Sequence, residues 1–210
     1  MANKILYGLN NVHYAVIVGM DEATGEEVYD TPKPIPYGVN LSLSKAGETF
    51  EVYADNMKIV SEATNNGYEG TLEVTIVPDS FNIDVLGKLE LSEKGFMYED
   101  SNTNTVQFAL MFEFSGDQHS TRHIFWRCSC SRNDITSKTT TNTKEPVNAT
   151  LDLTIMPSIN YHVHGKMVKN TANMTMYDNF FKEVLTVEGL MSSNDTRAFT
   201  EEQRETQEEQ

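Results

Sequence analysis

The stretch VQFALMFEF, residues 106–114, decides the fold. Every second residue in it is large and apolar: Val106, Phe108, Leu110, Phe112 and Phe114. The residues between them are less apolar as a set: Gln107, Ala109, Met111 and Glu113. Because successive side chains of a strand point to opposite faces, the pattern predicts a β-strand with one buried face.

The residues that follow this strand predict a hairpin. The segment SGDQHS, residues 115–120, is rich in turn-forming residues. It would fold the chain back onto a second alternating segment that contains Ile124, Trp126, Cys128 and Cys130. These four residues are two apart, so we expect them to share one face of the second strand.

Alternation of apolar and polar residues recurs along the chain. The further examples are Val12, Tyr14, Val16 and Val18; Val39, Leu41 and Leu43; Leu72, Val74 and Ile76; and Leu151, Leu153 and Ile155. Many short alternating segments predict a mainly β protein whose antiparallel strands form a β-sandwich or a partly closed barrel.

Two helices are expected between the strands. The first is short: Pro78 to Ser80 offer a start, residues 81–86 form the helix and Gly87 ends it. The second begins near Thr175 and should flank the sheet. Its apolar stripe consists of Met176, Phe180 and Val184 beside Tyr177, Phe181 and Leu185.

Length and charge limit the class of protein. A chain of 210 residues suits one domain, and we place it at residues 1–190. Residues 201–210, EEQRETQEEQ, carry five Glu and one Arg, and we expect an acidic, disordered tail over residues 191–210. The formal net charge of −15 repels nucleic-acid phosphates, so we expect no specific binding of DNA.

Neither export nor membrane insertion is expected. The opening residues lack the layout of a secretion signal, and no apolar run approaches the roughly 20 residues that span a bilayer. We therefore expect a protein that is made in the cytoplasm.

The sequence contains little that indicates catalysis or metal binding. Cys128 and Cys130, with His162 and His164, could in principle hold zinc, but the C-x-C and H-x-H spacings are narrower than those of usual zinc sites. We expect buried, unreactive thiols instead. No common nucleophile, phosphate-loop or metalloprotease motif is present, and we expect a protein that is not an enzyme and needs no cofactor.

One long segment shows neither the helical nor the strand spacing of apolar residues. In YADNMKIVSEATNNGYEG, residues 53–70, Asn and Gly residues interrupt both a helical and a strand pattern. We predict a loop at about residues 45–66 that contains several large apolar residues.

The order of several segments resembles a known family. They are YGLNNVHYAVI (7–17), PKPIPYGVNLSLS (32–44), FEVYADNM (50–57), NGYEGTLEVTIVPDSFNIDVLG (66–87) and FALMFEFSGDQHSTRHIFWRCSCSR (108–132). In this order and spacing they are similar to the major tail protein, or tail tube protein, of long non-contractile-tailed bacteriophages that infect Gram-positive bacteria. The resemblance covers roughly residues 4–185 and becomes weaker after residue 156.

The resemblance implies a structural function. Members of this family form rings, expected here to be hexameric, which stack into the tube through which the genome leaves the capsid. The implied partners are other copies of the chain, a tape-measure protein, a tail terminator and tail-tip proteins. The implied location is the tail of the virion, after assembly in the host cytoplasm.

With assembly as the expected function, the predicted loop has a physical explanation. A loop that cannot bury its apolar residues within its own subunit can bury them against a neighbour. The candidate interface residues are Phe50, Val52, Tyr53, Asp55, Asn56, Met57, Ile59 and Val60. Acidic residues in the channel would repel passing DNA, and the candidates are Glu73, Glu113 and Asp152.

Two other functions remain open at this stage. The chain could be a β-sandwich that binds a ligand such as a carbohydrate, with Tyr37, Tyr53, Tyr68 and Tyr98 as stacking platforms. It could also be a metal-dependent hydrolase, which would require stoichiometric zinc.

Overall fold

The structure, a computed structural model, describes residues 8–22, 24–117, 119–135, 137 and 147–190. The tail expected at residues 191–210 and the first seven residues of the expected domain lie outside the described residues. The strands are β1 Leu9–Met20, β2 Glu27–Tyr29, β3 Lys33–Pro34, β4 Gly38–Lys45, β5 Thr49–Ala54, β6 Met57–Ala63, β7 Tyr68–Val74, β8 Leu89–Leu91, β9 Phe96–Tyr98, β10 Phe108–Phe114, β11 Arg122–Cys130, β12 Ala149–Met156 and β13 His164–Met167. The helices are α1 Asp79–Asp84, α2 Met174–Asn179 and α3 Val187–Leu190.

Most of these strands belong to one antiparallel sheet. Within the described residues the sheet has nine strands, and its order is β2-β1-β10-β11-β12-β7-β4. Two short strands complete it, since β3 pairs with β1 and β13 pairs with the first half of β11. The expected mainly β, antiparallel class is confirmed.

The sheet is curled without closing into a barrel. The strand order ends at β2 and β4 among the described strands, so no closed ring of strands forms there. The start of β4 nevertheless returns to β1: a Cβ atom added at Gly38 would lie 3.0 Å from the Val12 side chain. The partly closed form of the expected architecture therefore describes the sheet.

The concave face of the curled sheet encloses the larger core. Strands β1, β7, β10, β11 and β12 all contribute buried apolar residues to it. Helix α1 adds Phe81, which makes edge-on ring contacts with Tyr14 and Phe108 at centroid distances of 5.0 and 5.4 Å. A short first helix is thus present as predicted, although it spans Asp79–Asp84 rather than residues 81–86 and has no side-chain cap, and it packs into this core.

The central strand β10 is buried on both faces, which the sequence did not predict. Phe108, Leu110 and Phe112 face the larger core, as expected. Ala109 and Met111, expected on the less apolar face, are also fully buried, in a second core. The residues after β13 fold over this face and cover it.

A β-bulge in β11 places its residues on different faces from those predicted. Phe108 pairs with Cys128 and Leu110 pairs with Phe125, so three residues of β11 span two residues of β10. As a result, Cys128 and Cys130 lie in the larger core, whereas Ile124 and Trp126 lie in the second core. The expectation that all four share one face is wrong because the bulge shifts the alternation by one residue.

The second helix is shorter than predicted. It begins at Met174 and ends at Asn179, and Asn173, the residue that precedes it, makes no side-chain cap. The Arg122 guanidinium donates to the carbonyl oxygen of Tyr177, which competes with continuation of the helix. Most of the predicted apolar stripe packs on the sheet, since Phe180 is buried in the second core and Phe181, Val184 and Leu185 pack around it, but Met176 is exposed.

No helix in the described part of the chain combines the length and apolar character that crossing a membrane would require.

Candidate assembly surface

The predicted loop is a β-hairpin, which we call the arm, residues 49–63. It connects the end of β4 to the start of β7. Backbone hydrogen bonds close its base: the amide of Thr64 donates to the carbonyl of Glu48 at 2.9 Å, and the amide of Ala46 donates to the carbonyl of Gly67 at 2.9 Å. The prediction of an irregular loop is wrong, because β5 and β6 pair along their length.

The turn of the arm explains why a strand pair forms there. Asp55 and Asn56 occupy the two turn positions with φ of 49° and 61°. Asp and Asn tolerate this left-handed region better than other residues with a side chain, and a two-residue turn with positive φ at both positions matches the twist of a hairpin. Asp-Asn was the sequence signal for this hairpin. From the sequence, Asn56 was instead interpreted as an interruption of the strand pattern.

The two faces of the arm differ in polarity. Directly paired residues lie on the same face of an antiparallel ladder, and Val52 pairs with Val60 and Ala54 with Met57. With Phe50, which is two residues before Val52, they make the apolar arm face: Phe50, Val52, Met57 and Val60. Between Val52 and Tyr53 the register shifts, so that β6 has one extra residue, Ile59.

The opposite face is polar, and its three largest polar side chains, Glu51, Tyr53 and Lys58, pair within the arm. The Tyr53 hydroxyl donates to Glu51 at 2.8 Å, and Lys58 forms an ion pair with Glu51. The ammonium group of Lys58 also lies 6.0 Å from the centre of the Tyr53 ring. The hydrogen bond from Lys58, followed by that from Tyr53, lowers the pKa of Glu51. These side chains therefore need no partner outside the arm.

The apolar arm face is exposed. The exposed fractions are 60% for Phe50, 66% for Met57 and 57% for the bulged Ile59. Val52 and Val60 are only half-buried. Among the described elements, β5 and β6 make extensive contacts only with each other. The arm therefore extends from the sheet with an apolar surface that the described residues leave exposed.

The candidate channel residues do not all lie together. Glu73 and Asp152 are on the convex face of the sheet, where Thr71 pairs with Asp152 and Thr150 pairs with Glu73. Glu113 lies elsewhere, on β10 at the edge of the second core. Its side chain is 17% exposed and forms an ion pair with Arg122 at 3.4 Å. Its charge is thus matched inside the subunit.

Glu73 and Asp152 belong to a wider polar surface, which we call the polar sheet face. It consists of the outward residues of three adjacent strands: Asn40, Ser42 and Ser44 of β4; Glu69, Thr71 and Glu73 of β7; and Thr150, Asp152 and Thr154 of β12. These positions hold three acids and no Lys or Arg. The C-terminal segment, residues 180–187, covers the β1-β10-β11 part of the convex face, and the core that it forms there includes no residue of β4, β7 or β12.

The tyrosines considered as ligand platforms lie on different elements. Tyr37 precedes β4 and is 74% exposed, Tyr53 is on the arm and Tyr98 is on β9. Tyr68 packs edge-on against Phe125, with ring centres 5.5 Å apart, and is half-buried.

The Cys and His residues do not form the zinc site that was considered. Both cysteines are free and buried, and burial raises the pKa of the Cys130 thiol to about 12. His164 lies beside His123, with Nε2 and Nδ1 3.1 Å apart, whereas His162 faces Glu188. No three His, Cys, Asp or Glu side chains in the described ranges are grouped so that they could hold a metal ion.

The sequence reasoning missed a second exposed hairpin, β8–β9, residues 89–98. Leu89 pairs with Tyr98 and Leu91 with Phe96, so these four residues share one face. Their exposed fractions range from 37% for Tyr98 to 56% for Phe96. The signal was present in LELSEKGFMY, where two short alternating runs flank Ser-Glu-Lys-Gly.

Comparison with known proteins found a structural similarity but no matching family. No protein-family model matches the chain, and no curated protein matches it. Among solved structures, the chain is similar to a chain of the anti-feeding prophage (AFP) baseplate, whose cryo-EM structure is 6-fold symmetrised. The TM-score is 0.46 and the sequence identity 11%, over 80% of this chain and 98% of that chain.

Proposed function

We propose that the protein is a structural subunit of a phage tail tube, which assembles as stacked, hexameric rings around a channel for genome ejection. The observation that carries this proposal is the arm, whose apolar face is largely exposed among the described residues although Glu51, Tyr53 and Lys58 of its polar face pair with one another. The quoted segments that resemble the major tail protein supply the identity of the assembly.

The arm has the physical properties of an assembly element. Phe50 and Met57, with the bulged Ile59, leave exposed apolar surface on a projecting hairpin, and such surface often marks a site of contact with another protein. A second copy that covers this patch gains about 25 cal/mol for each Å² of apolar surface removed from water. Because the polar groups of the other face are already hydrogen-bonded, docking need not break any of them.

The polar sheet face suits the wall of the channel. Its acids would repel DNA phosphates, so that DNA passes without specific binding. Its hydroxyl and amide groups keep the surface hydrated and offer no cation to hold a phosphate. Glu69, Glu73 and Asp152 of this face are the proposed channel residues. Glu113 is not a channel residue in this proposal, because Arg122 neutralises its charge.

The remaining partners follow from the same proposal. Tape-measure, terminator and tail-tip proteins would contact the tube at its interior and its two ends. The subunit would have no catalytic function and would reside in the tail of the virion after assembly in the host cytoplasm.

Negative-stain electron microscopy of the concentrated protein tests the proposal. We expect rings or hollow tubes of the wild-type chain. A variant in which Asn-Gly replaces residues 49–63 should remain folded and monomeric, since Glu48 and Thr64 are already hydrogen-bonded neighbours.

Three outcomes would contradict the proposal. Wild-type protein that stays monomeric at high concentration and is retained on a glycan array would favour a carbohydrate-binding module. Stoichiometric zinc in the purified protein would favour a hydrolase. An arm-deleted variant that still forms tubes would remove the arm from the interface.

A further inference from the structure

The second hairpin resembles the arm in its construction. The apolar face of β8–β9 consists of Leu89, Leu91, Phe96 and Tyr98, and the rings of Phe96 and Tyr98 stack with centres 6.1 Å apart. Among the described elements, β8 and β9 make extensive contacts only with each other and with the turn that joins them. The chain therefore presents two uncovered apolar hairpin faces.

The two hairpins leave the sheet at opposite ends of the β4–β7 pair. The arm joins Lys45 and Tyr68, which are paired at one end. At the other end Gly38 pairs with Val74, and the chain continues from Val74 into α1. Hairpin β8–β9 follows α1, and its base is closed where the amide of Val106 donates to the carbonyl of Val85 at 2.8 Å. Such an arrangement suits contacts from the end of one copy to the opposite end of the next.

The charges beside the two apolar faces allow an ion pair between them, although residues 88–98 as a whole are neutral, with Glu90 and Glu93 balancing Lys88 and Lys94. Residues 48–63 hold four acids (Glu48, Glu51, Asp55 and Glu62) and one base (Lys58), a net charge of −3. Glu62 pairs with Phe50 in the ladder and so lies on the apolar arm face. Lys88 and Lys94 stand at the base and the turn of β8–β9, and neither forms an ion pair with any described residue.

We propose that the apolar face of β8–β9 is the acceptor for the arm of a second copy of this chain, with Glu62 of the arm beside Lys88 or Lys94. The proposal rests on the proposed function, because it names the partner surface of the arm within a stacked assembly. The contact is heterologous: each copy uses its arm at one end and its β8–β9 hairpin at the other. A heterologous contact of this kind continues along an axis instead of closing into a dimer.

The size of the contact explains how a subunit can remain soluble before assembly. From the exposed fractions, each apolar face offers on the order of 350 Å². Their contact would remove about 700 Å² in total, less than half of the roughly 1,600 Å² in a typical stable interface. One contact is therefore weak, and stability arises when the copies of a ring make it together.

Disulfide trapping between two single variants tests the proposal directly. Met57→Cys, on the apolar arm face, and Leu91→Cys, on the face of β8–β9, are purified separately, one with an affinity tag, then mixed and oxidised. Cys128 and Cys130 are buried and burial raises the pKa of both thiols, so they should not react. The oxidised wild-type chain, and Met57→Cys mixed with Glu90→Cys on the opposite face of β8–β9, are the controls.

We expect a covalent dimer that contains one tagged and one untagged chain in the first mixture, and little in the controls. Dimers of Met57→Cys alone or of Leu91→Cys alone in place of the mixed dimer would overturn the proposal. Tubes in the microscope without the mixed dimer would overturn it and leave the proposed function intact. A mixed dimer from protein that never forms rings or tubes would support the contact and contradict the tube.

Exchange of the charges gives an independent readout. Lys94→Glu should raise the critical concentration for assembly about fivefold, as expected for the loss of one exposed ion pair and its replacement by repulsion. Glu62→Lys should do the same, and the double variant should recover towards wild type. Lys166→Glu on β13, with the same change in net charge, should have little effect. Double variants that are weaker than either single variant would overturn the proposed pairing of these surfaces.

Discussion

Hairpins β10–β11 and β5–β6 have the same local construction but opposite surroundings. Each is an antiparallel pair with a bulge in its second strand. Strand β10 is covered on both faces, by the larger core and by the C-terminal segment, whereas Phe50 and Met57 on the apolar face of the arm are left exposed by the described residues. The comparison teaches that an apolar strand face can serve either the stability of the subunit or its assembly, depending on whether the same chain supplies a cover.

The largest expected difference concerns two phenylalanines. Phe108→Ala should reduce the free energy of unfolding by about 3 to 5 kcal/mol, because the side chain is fully buried against Phe81. Phe50→Ala should change it by less than about 0.5 kcal/mol, because that side chain is 60% exposed. Denaturant titration of dilute, monomeric protein measures both. Equal losses would show that the arm belongs to the core.

The cover over β10 depends on Arg122. Its side chain is 16% exposed, pairs with Glu113, and its guanidinium lies 3.9 Å from the Tyr177 ring centre. Arg122→Ala should cost about 2 to 3 kcal/mol, since Glu113 would be left largely buried without its partner. Lys166→Ala, a change on exposed β13, is the control and should cost less than about 0.5 kcal/mol. Thermal or denaturant unfolding reports the loss. A loss for Arg122→Ala no larger than that of the control would show that Arg122 does not hold the C-terminal segment over β10.

A substitution in the turn of the arm should weaken assembly without changing the stability of the subunit. A β-branched residue is strained at the φ of 61° that Asn56 adopts, so Asn56→Val should disfavour the hairpin by about 1 to 2 kcal/mol. Assembly should then require roughly 5- to 30-fold more protein, while subunit unfolding stays unchanged. Asn56→Gly is the matched control, because glycine adopts this φ without strain. Sedimentation at a series of concentrations gives the comparison, and equal assembly of the two variants would contradict it.

The smallest expected effect is a dependence on pH at the rim of the larger core. Burial lowers the pKa of both His123 and His164, so the unfolded chain binds protons at a higher pH than the folded chain does. Their contribution to stability is therefore present above about pH 6.5 and is lost as the pH falls through the lower folded-state values. Replacing both by Phe should flatten the pH dependence of unfolding between pH 7 and 5, and His119→Gln, in the exposed turn, should not. An unchanged slope in the double variant would contradict this.

The sequence predicted the parts of the fold that follow from local alternation. Tyr14 of β1, Phe108 of β10 and Leu151 of β12 face the larger core as expected. The bulge in β11 could not be predicted in this way, since the extra residue is defined only by its pairing with β10. Burial of Met111 also depends on a segment some 70 residues away in sequence that folds over it.

The candidate surface shows the same limits. The exposed apolar residues of the arm were identified from their disagreement with any regular period, although the regular hairpin itself was missed. Glu113 looked like Glu73 in the sequence because both alternate with core residues. Only the position of Arg122 in the folded chain distinguishes them.

Hydrogen–deuterium exchange of residues 49–63, in dilute monomer and in sedimented assemblies, tests the central claim most directly. If the apolar arm face is covered by another copy, its amides should exchange at least about 100-fold more slowly in the assemblies, while those of β10 are slow in both samples. Assemblies in which the arm exchanges as fast as in the monomer would contradict the account.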